Sequence, residues 1–139
     1  MKIMAIDYGD AHTGVAVSDR TLTLCGFSTV VNAYRPEAVI EQLQKLIAEH
    51  EVTELVLGHP INMDGTRGPR AEKAEAFAEQ LRAATGLPVS LWDERRTTVD
   101  AHNILASNGK RAKEHKKTVD AVAASLMLEG YLTYTKRNG

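Results

Sequence analysis

Residues 2–7 open the chain with a continuous apolar run, Ile3, Met4, Ala5 and Ile6, that ends on a carboxylate, Asp7. Gly14 to Ser18 (GVAVS) alternates β-branched and small residues, and Leu24 to Val31 mixes apolar residues with Ser and Thr. Short runs of this kind, bounded by turn residues, predict strands. The links over residues 8–13 and 19–23 are too short for crossovers, so the three strands should form an antiparallel meander. The period then changes. Pro36 and Glu37 supply a helix start, and Val39, Ile40, Leu43, Leu46 and Ile47 follow at helical spacing to about His50.

Glu54 to Gly58 (ELVLG) predicts a short buried strand, and His59 to Gly68 a loop. A second helix carries Ala71, Ala74, Phe77, Ala78 and Leu81 on one face and stops at Gly86-Leu87-Pro88. Val89 to Trp92 predicts a fifth strand ending in Asp93-Glu94, and a third helix starts at Thr97 or Thr98, where Asp100 can complete a cap. Asn108-Gly109 stops it, and residues 110–117 (KRAKEHKK) form a basic polar segment. A last helix runs from about Thr118 to Tyr134, with Val122, Ala123, Leu126, Met127 and Tyr131 facing inward.

Strand–helix–strand crossovers require parallel pairing, so the order predicts an α/β fold: a mixed five-stranded sheet with helices on both faces, in one domain spanning residues 1–139. Ligands of such sheets sit beyond the carboxyl ends of the parallel strands.

Composition adds bounds. The chain is 43% hydrophobic and 25% charged, with a net charge of −1, so any nucleic-acid-binding surface must be local. One cysteine, Cys25, excludes an intramolecular disulfide and suits a small hydrophobe in a strand. The five histidines show no zinc-ligand spacing. No run reaches the ~20 apolar residues of a membrane span, and no signal-peptide pattern opens the chain, so a cytoplasmic protein is expected.

The candidate chemistry lies in the acids. The first strand ends in Asp7, the fifth in Asp93-Glu94, and Asp120 falls in the first turn of the last helix. If that helix crosses near the strand ends, three distant segments bring carboxylates together, and a cation such as Mg²⁺ or Mn²⁺ would neutralise them. Each acid also has a plainer reading: Asp7 opens a turn through Tyr8-Gly9, Glu94 pairs with Arg95 or Arg96, and Asp120 complements a helix dipole.

The segments IDYGDAHTGVAVSD (6–19), LGHPINMDGTRGPRA (57–71), WDERRTTVDA (92–101) and KTVDAVAASLMLEGYL (117–132) resemble, in order and over the whole chain, the YqgF family of the ribonuclease-H-like superfamily. That family is described both as Holliday-junction resolvases and as pre-16S rRNA processing nucleases. The resemblance implies the ribonuclease-H-like fold and phosphodiester hydrolysis with two divalent ions. It also implies Asp7, Glu94 and Asp120 as catalytic, metal-binding acids. Asn62, Asp64, Gly65 and Thr66 match its first signature loop, and Arg95 and Thr98 its second. Two positions depart from it: His12 stands where the family commonly has Arg, and His59 where it commonly has Leu. Histidine lacks the fixed fork of arginine, so the hold on the phosphate-facing loop is in question there.

Lys110, Arg111, Lys113, Lys116 and Lys117 precede Asp120, and Arg67 and Arg70 follow the fourth strand. With His12 and Arg95 they are the expected contacts to a nucleic-acid backbone. Trp92 is the only tryptophan, so recognition by shape is expected over base stacking. The leading expectation is a metal-dependent endonuclease on structured RNA, specifically the 5′ end of pre-16S rRNA, acting as a monomer or homodimer. A junction resolvase, a non-catalytic nucleic-acid-binding module on the same fold, and a sugar-kinase-like ATPase are the alternatives. The last needs a second domain that 139 residues do not provide.

Overall fold

A computed structural model of the chain describes residues 2–9, 11–19, 25–60, 65–66, 68–93 and 123–134. Its elements are β1 (Ile3–Asp7), β2 (His12–Ser18), β3 (Cys25–Asn32), α1 (Pro36–His50), β4 (Glu54–His59), α2 (Pro69–Thr85) and β5 (Val89–Asp93), followed by helix α3 over residues 123–134. The strands form one sheet in the order β3-β2-β1-β4-β5. β1 to β3 make the antiparallel meander, whereas β4 pairs parallel with both β1 and β5. The mixed pairing matches the expectation drawn from the short and long links.

Strand alternation sorts the sheet into two faces. Met4, Ile6, Val15, Val17, Leu55 and Leu57 pack under α1 and α2, against Val39, Leu43, Phe77 and Leu81. Ile3, Ala5, Ala16, Val56 and Trp92 pack under α3, against Ala124, Met127, Leu128 and Leu132. The buried faces of α1 and α2 are those predicted from helical spacing. α1 ends with Glu51 in the left-handed region (φ 57°), and α2 with Gly86 at φ 70°, where the lack of a Cβ removes the steric cost.

Several strand ends differ from expectation by a residue or two, and one helix face is turned. β2 begins at His12 rather than Gly14, because the whole span from His12 to Ser18 pairs with β3, opposite Asn32 to Cys25. The inward stripe of α3 is rotated: Ala124, Leu128 and Leu132 are buried with Ala123 and Met127, while Leu126 and Tyr131 are only partly covered. Tyr131 donates its hydroxyl to Glu54 Oε2 at 2.7 Å instead, tying α3 to the start of β4. The expected third helix, the basic segment 110–117, the start of the last helix and the side chain of Cys25 lie outside the described residues. No helix among the described residues is long and apolar enough to cross a membrane.

Candidate active site at the carboxyl edge of the sheet

Asp7 is the last residue of β1, the central strand, and is half-buried. Alternation from Ile3 and Ala5 puts it on the α3 face. Its direct partner on β2 is Gly14. On the other side Ile6 pairs with Leu57, so the next step of the parallel register brings Gly58 alongside Asp7. The carboxylate is therefore flanked by glycine on both neighbouring strands, which leaves space on its face of the sheet. Among the described residues it has no hydrogen-bond or ion-pair partner. The hard oxygen donor and the open surround fit Mg²⁺ or Mn²⁺.

The turn after Asp7 is built on a close approach. A Cβ at Gly9 would lie 2.3 Å from the carbonyl oxygen of His12, so only glycine fits. The Gly9 N–H donates to Thr13 Oγ1 at 3.5 Å, and Thr13 is fully buried. This turn sets His12 at the same edge as Asp7. His12 and Gly14 share a face of β2, so His12 is on the α3 face too, one strand over and two residues beyond Gly14. It is the first residue of β2 and is partly exposed. Its Nδ1 lies 2.6 Å from Oδ1 of Asn32, its register partner on β3.

His59 serves the opposite face. It ends β4, shares the side of Leu55 and Leu57, and hydrogen-bonds Glu75 of α2, Nε2 to Oε2 2.6 Å. Asp93 pairs in register with His59, which puts it on the α2 side as well. Trp92 is on the side of Asp7. Of the acids at the end of β5, Asp93 is thus directed away from Asp7. Tyr8, the residue after Asp7, also turns to the α2 side, stacking on Phe77 at 3.9 Å with Lys73 Nζ 5.8 Å from its ring centre. Tyr8, Gly9, Pro60, Arg70 and Lys73 line a small cleft there.

Of the expected site residues, the structure brings Asp7 and His12 together on one face. Arg70 is exposed in the first turn of α2, and Gly65 (φ 88°) and Thr66 are exposed ahead of it. Asn62, Asp64, Arg67, Glu94, Arg95, Thr98, Lys110, Arg111, Lys113, Lys116, Lys117 and Asp120 lie outside the described residues. Among the described residues no three His, Cys, Asp or Glu side chains cluster as metal ligands. Sequence reasoning missed Asn32, Glu75, Tyr8 and Lys73. The first is readable from hairpin register once β2 is started at His12. The others follow from strand alternation combined with the α2 stripe that starts at Ala71.

Relatives extend over the whole chain. A protein of Halothermothrix orenii named "Putative pre-16S rRNA nuclease" is 42% identical over 99% of this chain and 98% of its own. One of the same name from Carboxydothermus hydrogenoformans is 43% identical over 99% of this chain and 100% of its own. In fold, the chain is similar to Thermus thermophilus RuvC in complex with Holliday junction substrate, with a TM-score of 0.64 at 14% identity, covering 99% of this chain and 96% of that one. The profile of the RuvX family, described as Holliday junction resolvase, matches residues 1–134, and the chain belongs to that family.

Proposed function

We propose that the protein is a metal-dependent endonuclease that processes the 5′ end of pre-16S rRNA in the cytoplasm. The observation that carries this reading is the placement of Asp7: a carboxylate at the carboxyl end of the central strand, flanked by glycines and without a partner among the described residues. The relatives named as nucleases of that RNA, similar over nearly the full length, supply the substrate. Asp7, Glu94 and Asp120 would hold the ions. Divalent ions so held provide an activated water and neutralise charge on the leaving oxygen of a phosphodiester. The chain's own part is to fix Asp7 on a rigid strand, hold His12 beside it, and offer Arg70 and the basic residues of segment 110–117 to the phosphate backbone.

Resolution of four-way DNA junctions is the second reading, favoured by the description of the family. Both are tested by offering a pre-16S rRNA fragment and a junction to the purified protein, with Mn²⁺ and with EDTA. Metal-dependent cleavage of the RNA at its 5′ flank, with the junction left intact, supports the first. Symmetric nicking of the junction alone supports the second. Binding of either without cleavage under any divalent ion would leave a non-catalytic module.

A further inference from the structure

We infer that His12 is a ribose contact: its Nε2 accepts a hydrogen bond from a 2′-hydroxyl of an RNA strand lying across the carboxyl edge of the sheet, and Asn32 is the residue that positions it. This rests on the reading of RNA as the substrate and assigns the group that recognises it.

The two histidines at this edge are held differently. His59 uses Nε2 to meet a carboxylate, Glu75, on the α2 side. His12 uses Nδ1, and its partner is the carboxamide oxygen of Asn32 at 2.6 Å. An amide oxygen only accepts, so Nδ1 is the donor. In the neutral ring Nε2 then carries a lone pair and no proton. Nε2 has no other partner among the described residues.

That acceptor lies on the same face and edge as Asp7, one strand away. Along a nucleic-acid backbone, phosphate oxygens have no proton to give, and the one group able to donate to it is the ribose 2′-hydroxyl. The rigid frame matters too. His12 and Asn32 are register partners on two strands, and the Gly9 close approach fixes the carbonyl of His12. The ring's one printed partner is therefore supplied by the neighbouring strand and not by a loop.

The test crosses the protein with the substrate. Cleavage of a pre-16S rRNA fragment is measured as kcat/KM, then repeated with a single 2′-deoxy nucleotide at the scissile position and at each neighbour. Wild type should lose roughly three- to tenfold at one of these positions, the worth of one hydrogen bond. In His12→Ala, and in His12→Phe, which keeps the ring volume, the same deoxy substitution should cost nothing further. Asn32→Ala should reduce the penalty while leaving the ring present. A penalty of unchanged size in both His12 variants, or none at any position in wild type, overturns the ribose contact. So does an unchanged penalty with a salt slope flattened by about one unit, which would make His12 a phosphate contact. If wild type cuts only junction DNA, it is the RNA reading itself that fails, a result separate from these.

Discussion

Asp7 is stable where it stands only because the strand end, not its own interactions, holds it. Replacing it with Asn removes a half-buried charge without changing shape. Asp7→Asn should therefore keep or slightly raise the melting temperature, by about 1 °C or more, while reducing cleavage by more than ~100-fold. His59 makes the opposite case. His59→Leu removes the hydrogen bond to Glu75 on the α2 face, so it should cost about 1 kcal/mol of stability in urea titration and leave kcat unchanged. A large loss of kcat there would mean that the two faces are not separate. The same contrast shows what could be read from the chain alone. The place of Asp7 at the end of β1 was legible because the apolar run stops there, whereas its role as a metal ligand came from the other acids and the family resemblance. The difference between His12 and His59 was not, because it depends on which ring nitrogen meets which partner across 20 and 16 residues.

At the level of elements, the short links and helical stripes made the meander, α1 and α2 legible, since burial of those stripes is dictated by period alone. The face of α3 was not, because Tyr131 is drawn to Glu54 by a polar bond that periodicity does not reveal. Burial, and next the bond to Glu54, push the Tyr131 hydroxyl above its ordinary value of 10.0. A raised value means the neutral form is the one the fold stabilises. This contribution is complete below about pH 10 and is lost as pH rises through the folded value, so Tyr131→Phe should be less stable than wild type near pH 7 and lose less on alkalinisation. Denaturation at pH 8 and pH 11 checks it. The end of α1 gives a second prediction: Glu51 occupies φ 57°, and Glu51→Gly should stabilise by about 0.5–1 kcal/mol, read as a higher urea midpoint. An unchanged or lower midpoint would show that the Glu51 side chain contributes more than the strain costs.

Over the whole molecule, two cores on opposite sides of one sheet leave its carboxyl edge as the place where both faces meet solvent. Asp7, His12 and Asn32 open toward one side of that edge, and Tyr8, His59, Asp93 and Arg70 toward the other. The role proposed for Asp7 is that of a metal-binding catalytic acid in a nuclease. The measurement that tests it most directly is thermal unfolding of wild type and Asp7→Asn with and without Mn²⁺, with cleavage of the pre-16S rRNA fragment read from the same samples. Mn²⁺ in hundredfold excess over its dissociation constant should stabilise wild type by about 2.7 kcal/mol, much less so Asp7→Asn, and only wild type should cut. Equal stabilisation by Mn²⁺ and equal cleavage in both proteins would rule out that role for Asp7.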